Sequence, residues 1–320
     1  MPISSQVKPL GRRKIGLALS SGVARGWAHI GALRALQRFG IDFDILAGCS
    51  AGALVGGCFL ARKLDELERW AIALNKRKLL GYLDLNLGRG GLIRGDRLIG
   101  DLRSLLGPLR AEDLRIPFVA VATNLTTGHE VWLQTGDLTE ILRASFALPG
   151  LFPPIELDKR WLADGALVDP LPVAACRALG ADLVIAVNLN SDIIGKVRCS
   201  RTSASGLMGF DPAVLVEESA QASSSLFADN FTLGVFRRES DKPNVFGVMT
   251  TSLSIMQDRL TRSRLAGDPP DVHITPRVGH IGLLEFERAE ELIREGEEAV
   301  VRKRPELLDA MQAIGVASPL

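Results

Sequence analysis

From Ile45 to Ala61 the chain carries no charged residue, and in the middle of that run stands Gly48-Cys49-Ser50-Ala51-Gly52. A stretch so apolar can be a membrane helix or the inside of a folded body. As a lone membrane helix it lies at the lower limit of length for a bilayer, and Gly48, Gly52, Gly56 and Gly57 all weaken a helix. A buried strand that turns sharply into a buried helix uses the same residues better. A strand with no polar face must be covered on both sides, which requires a parallel sheet between layers of helices.

The residues upstream follow the same plan. Ile15 to Leu19 is a short apolar run, Ser20 to Gly26 a loop of small residues, and Trp27 to Phe39 a helix with Ile30, Leu33 and Leu36 at helical spacing. Gly40 stops that helix and Phe43 to Ala47 is the next strand. Further helices are expected over 64–75, 96–106, 137–147 and from Pro170 to Leu179, with a Gly88-Arg89-Gly90-Gly91 hinge before the second of these. Ile116 to Thr123 and Leu183 to Leu189 read as buried strands, and Glu130 to Leu133 as the hairpin partner of the first. Repeated alternation of strand and helix places the chain in the α/β class, with helices on both faces of a mostly parallel central sheet.

The 320 residues, 47% apolar and 23% charged, suit a globular body of one large α/β unit or two domains. Residues 1–13 read as a flexible tail and 14–190 as the α/β core. Residues 191–320 form a C-terminal section completing the same domain, with a helix from Val245 to Leu265, a strand from Val272 to Ile274 and a charged helix from Glu285 to Lys303. Within it, 191–240 is either a lid with an apolar underside or an irregular insertion. Arg12-Arg13-Lys14 before IGLALSSGVA imitates a signal peptide, but Ser20-Ser21-Gly22 interrupts the apolar part.

Charge and composition exclude several functions. With 38 Lys+Arg against 37 Asp+Glu the net charge is +1, and twelve Phe, four Trp and one Tyr leave few rings to stack on bases, so nucleic acid is not an expected partner. Cys49, Cys58, Cys176 and Cys199 show no Cys-x-x-Cys spacing, and His29, His129, His273 and His280 include no i,i+4 pair. Reduced thiols in a cytoplasmic protein, with no metal and no cofactor, are the expectation. Any contact with the inner face of a membrane would be peripheral and would use local apolar surface, with 191–240 as its first candidate.

Gly48-Cys49-Ser50-Ala51-Gly52 fits a nucleophile elbow, in which glycines allow a sharp strand-to-helix turn and the serine hydroxyl projects at the helix N-terminus. The Ser20 to Gly26 loop, also between strand and helix, can offer backbone N–H groups to an oxyanion. Asp42 and Asp44 lie where a dinucleotide fingerprint would want an acid, but the Gly-x-Gly-x-x-Gly pattern is missing. Two bases are open. One is a triad of Ser50, Asp164 and either His273 or His280; the other is Asp164 alone, placed by Asp164-Gly165-Ala166 after an apolar strand where desolvation would raise its pKa.

Taken in order, the Ser20 to Gly26 loop, the elbow and Asp164-Gly165-Ala166 resemble the patatin-like phospholipases, in particular the bacterial branch related to the catalytic domain of neuropathy target esterase. Arg143-Ala144-Ser145-Phe146-Ala147-Leu148-Pro149-Gly150, followed by Phe152-Pro153-Pro154, is similar to the family's stretch ahead of the Asp-Gly motif. The resemblance implies a three-layer α/β/α sandwich and a Ser-Asp dyad without histidine, Ser50 as nucleophile and Asp164 as base. It implies an oxyanion hole lined by Ser21, Gly22 and Val23 with Arg25 beside it, and motif glycines Gly48, Gly52 and Gly165. The family's glycine run reads Ser20-Ser21-Gly22-Val23 here, with Gly22 retained. The expected activity is hydrolysis of a lipid acyl ester through an acyl-enzyme; a lipid-binding or regulatory protein on the same fold is the alternative.

Overall fold

The computed structural model describes residues 13–75, 95–191 and 245–315. The Gly88 to Gly91 hinge, Cys199, the tail before Arg13 and the 191–240 segment beyond Ser191 lie outside the described residues. Strands are β1 (Ile15–Leu19), β2 (Ile45–Cys49), β3 (Phe118–Asn124), β4 (Glu130–Leu133), β5 (Ile155–Leu157), β6 (Arg160–Asp164), β7 (Leu183–Val187) and β8 (Val272–Ile274). Helices are α1 (Ala28–Arg38), α2 (Ala51–Leu60), α3 (Leu64–Ile72), α4 (Asp96–Leu106), α5 (Leu138–Ser145), α6 (Val173–Ala178), α7 (Val245–Gly267), α8 (Ala289–Arg302) and α9 (Arg304–Ala313).

The strands form one sheet in the order β5-β6-β3-β2-β1-β7-β8, with β4 also on β3. From β3 through β2, β1 and β7 to β8 all pairs are parallel, while β4, β5 and β6 join antiparallel. Every residue of β1, β2 and β7 is buried. Alternation then sorts them between two cores. Leu17, Leu46, Phe118 and Ile185 pack with Leu33 of α1, Val55 of α2 and Leu292 of α8, while Ala18, Ala47, Val119 and Val184 pack with Val173 and Cys176 of α6. Helices thus cover both faces of a mostly parallel sheet, a three-layer α/β/α sandwich.

Several boundaries differ from the sequence reading. β2 starts at Ile45 and runs through Gly48 and Cys49 to end directly at Ser50, because its pairing with β1 and β3 continues through the glycine. The 137–147 helix is α5, which starts at Leu138 because Asp137 caps it by accepting from Glu140 N, and which ends at Ser145. β5 and α9 have no counterpart in the sequence reading. Arg13, assigned to the loose tail, is held by Asp182 at 3.0 Å. Ile15 to Leu19, the apolar part of the signal-like stretch, is a central strand.

Helix α8 crosses α1 backbone to backbone. A Cβ on Gly31 would lie 1.8 Å from the Ile293 carbonyl oxygen, and one on Gly296 would lie 1.9 Å from that of Ala28. Each helix offers the other a glycine where their axes approach, which brings Leu292, Ala299 and Val300 into the same core as Ile30 and Leu33.

Candidate active site

Three strands meet at Val121 and Ala122 of β3. Along one edge of β3 the parallel register sets Cys49 of β2 opposite Val121 and the antiparallel register sets Asp164 of β6 opposite Ala122, while β4 takes the other edge. Ser50 and Asp164 therefore sit where the ends of β2 and β6 meet, on the same edge of β3. Ser50 makes the turn from β2 into α2 with φ 53° and ψ −119°, a conformation that strains a residue with a side chain by about 1–3 kcal/mol. Gly48 and Gly52 serve by being small. A Cβ on Gly52 would sit 2.4 Å from the Leu19 carbonyl oxygen and one on Gly48 2.6 Å from the Ala53 nitrogen, so α2 can fold back onto the ends of β1 and β2. Gly165 leaves similar room for the Val121 carbonyl.

The Ser50 hydroxyl donates to Asp164 Oδ2 at 2.7 Å. Asp164 is 1% exposed and Ser50 4%. Asp164 Oδ1 accepts from Ala166 N at 2.8 Å, and Thr123 Oγ1 donates to the Asp164 carbonyl at 2.7 Å. Burial raises the Asp164 pKa to about 7, while the Ala166 N–H and the Ser50 hydroxyl pull it the other way. A carboxylate poised near neutrality, bonded to a serine hydroxyl at a helix N-terminus, can accept that proton as the oxygen attacks a carbonyl.

Ser145, at the end of α5, was not singled out in the sequence. Its Oγ accepts from Ser50 N at 3.0 Å and donates to the Val121 carbonyl at 2.6 Å, and the residue is fully buried. It ties the strained turn to β3. Its sequence signal was a lone hydroxyl between Ala144 and Phe146 on a buried helix end, where a polar atom must find partners. Ser145→Ala leaves two buried backbone groups without this partner. Stability should fall by about 1–3 kcal/mol, and kcat by up to about 100-fold as Ser50 loses its geometry, with KM near the wild-type value in steady-state kinetics.

The Ser20 to Gly26 loop lies against the start of α2, with a Cβ on Gly26 meeting that of Ala51 at 2.3 Å. Ser20 N donates to Val187 O, Ser21 N to Pro170 O, Ala24 N to Leu283 O and Arg25 N to Gly22 O. Ser21 was expected to line the oxyanion hole, but its N–H is already spent at 2.9 Å. Gly22 N and Val23 N have no acceptor among the described residues, and Val23 lines the same cavity as Ser50. Val23 holds φ 52°, an unfavourable angle for a β-branched residue. Arg25 Nε donates to Ile281 O at 2.7 Å and braces the loop against the C-terminal section.

The hydroxyls of Ser20 and Ser21 both have partners. Ser20 Oγ accepts from Leu189 N, and Ser21 Oγ accepts from Asn190 Nδ2 at 3.0 Å and donates to Gln257 Oε1 at 3.3 Å. Beneath them His29 Nε2 donates to the Ser20 carbonyl at 2.8 Å; burial lowers the His29 pKa to about 4, against the opposing effect of that bond.

Neither histidine of the alternative triad reaches the dyad. His273 is on β8, three strands from β2 or about 14 Å, and bonds Asn188 at 3.1 Å. His280 bonds Glu291 at 2.9 Å near the surface. His273→Ala and His280→Ala should each keep most of the wild-type ester turnover, measured with a chromogenic ester. Asp44, the acid of the dinucleotide reading, accepts from Ile15 N at the far end of β1 from the loop. Among the described residues no cluster of His, Cys, Asp or Glu could hold a metal ion. Cys49, Cys58 and Cys176 are free and buried, and burial pushes Cys58 and Cys176 up to about 12.

Ser50 opens into a cavity of about 520 Å³. Its walls come from α2, α3, α4 and the 146–152 stretch, with Leu54, Leu67, Trp70, Leu102, Phe146 and Phe152 among the lining residues. Glu66, Asp101 and Ser104 add polar groups. This cavity has no counterpart in the sequence reading, since α3 and α4 carry no motif.

Residues 17–177 match the patatin-like phospholipase family. The chain is 36% identical to an uncharacterized NTE family protein of Mycobacterium tuberculosis, over 92% of each chain. It is 33% identical to the lysophospholipase nte1 of Emericella nidulans, over 56% of this chain and 12% of that one. A solved structure of VipD from Legionella pneumophila aligns at 16% identity and TM-score 0.34, covering 97% of this chain and 81% of that one, a likeness too low to carry weight. Half of the chain matches one family and nearly all of it matches a relative from the NTE branch, so the chain belongs to the patatin-like phospholipases.

Proposed function

We propose that this protein is a serine acyl-ester hydrolase acting on phospholipids or lysophospholipids, with Ser50 as nucleophile and Asp164 as general base. One observation carries the reading: a buried serine hydroxyl at a strained strand-to-helix turn donates to a buried carboxylate at 2.7 Å, at the wall of a largely apolar cavity. Asp164 takes the hydroxyl proton as Ser50 Oγ attacks the ester carbonyl. The Gly22 and Val23 N–H groups receive the oxyanion of the tetrahedral intermediate, aided by the N-terminal end of α2. The protonated Asp164 returns its proton to the leaving alcohol. Water, deprotonated by the same carboxylate, then attacks the acyl-enzyme and releases the fatty acid.

The apolar cavity suits an acyl chain, and the fungal relatives bear the name lysophospholipase, which supports a lipid ester as substrate. Incubation with a mixed lipid extract, read by mass spectrometry, tests this. Phospholipid or lysophospholipid species should disappear as free fatty acid accumulates, and Ser50→Ala should leave them unchanged. No loss of any acyl ester under conditions where the protein is folded would contradict the proposal.

A further inference from the structure

Helix α7 has its polarity reversed. A helix on a globular body ordinarily buries an apolar stripe and exposes a polar one. In α7 the buried residues include Ser254, Gln257, Asp258 and Thr261, while Val248 is 48% exposed, Ile255 45% and Met256 57%. At about 100° per residue, Val248, Ser252, Ile255, Met256, Arg259 and Arg262 fall on one stripe, with exposed Thr251 at its edge. The apolar part spans about 12 Å along the axis and the two arginines continue it. Asp258, the only acidic residue of the helix, is buried and its two carboxylate oxygens hold Arg262, so the net positive charge of the outer face comes from Arg259. The other exposed large apolar residues among the described residues, Ile72, Leu125, Trp161 and Val301, stand singly on α3, the β3–β4 turn, β6 and α8.

The inner side of the same helix borders the cavity. Met249 packs at Gly150, and Leu253 joins Leu148 and Leu151, which line the cavity that reaches Ser50. An apolar stripe continued by arginines has the make-up of a helix lying in an anionic lipid interface: apolar groups enter the acyl boundary and cations meet the headgroups. We infer that the outer face of α7 docks this protein on an anionic lipid surface, with the cavity rim beside the contact. The inference goes beyond the hydrolase reading and does not require Ser50 to be active.

The test is co-sedimentation of the full chain with phosphatidylcholine vesicles, with and without phosphatidylglycerol, in wild type and Ser50→Ala backgrounds. Wild type and Ser50→Ala should bind alike, and more tightly when phosphatidylglycerol is present. The double variant Ile255→Ser, Met256→Ser should lose at least about tenfold in partition. Arg259→Gln should lose severalfold on the anionic vesicles only. Both variants should keep the wild-type melting temperature and hydrolysis of a soluble short-chain ester. Wild type failing to bind, the double variant binding as wild type does, or light scattering showing a dimer that Ile255→Ser, Met256→Ser dissociates would each overturn the inference, the last by assigning the face to a second copy of the chain. Because binding is read without turnover, its failure would leave the hydrolase proposal untouched, and an inactive protein that binds would leave the docking inference standing.

Discussion

Asp164→Asn is expected to abolish activity and raise stability at the same time. In the proposed mechanism the carboxylate is the proton acceptor, and its loss should lower kcat by about 10⁴-fold. The same group is a burden to the folded state at neutral pH. Burial raises its pKa from 3.8 to about 7, so between those values the folded chain binds more protons than the unfolded one. Stability associated with the carboxyl is complete below about pH 4 and is lost as pH rises through about 7. A shift of about three units sets a ceiling of ~4 kcal/mol on that loss. An amide avoids it and still presents an oxygen to Ala166 N. Melting curves should therefore show the variant more stable than wild type by several degrees at pH 8 and nearly equal to it at pH 4. Asp169, raised to about 7 chiefly by its own burial, adds the same slope to both proteins, so the difference between them isolates Asp164. The wild-type kcat/KM should rise with pH through about 7. A variant less stable at pH 8, or a rate flat across pH 5–8, would show that Asp164 is not a desolvated base.

Gly31→Ala should be among the most destabilising single changes outside the dyad. The added methyl would stand 1.8 Å from the Ile293 carbonyl oxygen, and backbone cannot swing aside as a side chain can. α8 would have to retreat by about 1.5 Å to reach ordinary contact, opening the layer that holds Leu292 and Val300 against Ile30 and Leu33. A loss of about 3 kcal/mol or more follows, visible as a lower denaturation midpoint at unchanged slope. Gly296→Ala makes the reciprocal clash with Ala28 and should behave alike. A wild-type midpoint for Gly31→Ala would mean that α1 and α8 do not cross as closely as described.

What could be read from the sequence was local. The strand, serine and helix around Ser50 are contiguous, so glycine spacing and an uncharged run describe them; α4 runs from 96 to 106 as its periodicity indicated. The β3–β4 hairpin was legible from two short apolar runs separated by a turn. Asp164 could be weighed against a plain Asp-Gly turn only through the order of motifs, since its contact with Ser50 depends on β2 and β6 meeting end to end along one edge of β3. Ser145 depends on the same register. That Ser21 spends its N–H on Pro170, leaving Gly22 and Val23, follows from a loop 149 residues further along the chain packing against it. α9 was missed because the charged pattern of α8 runs into it, with Pro305 in the first turn marking a new start rather than an end. The inner face of α7 escaped notice because periodicity looks for apolar residues inside, and there they are outside.

The central claim is that Ser50 is activated by Asp164 without a histidine. A fluorophosphonate reacts covalently only with a serine that is both nucleophilic and served by an oxyanion site, and peptide mapping identifies the residue modified. The wild-type chain should carry one adduct, on Ser50. Ser50→Ala should carry none, Asp164→Asn should label slowly, and His273→Ala and His280→Ala should label at the wild-type rate. An adduct on another serine, or a folded histidine variant that no longer labels, would contradict the account.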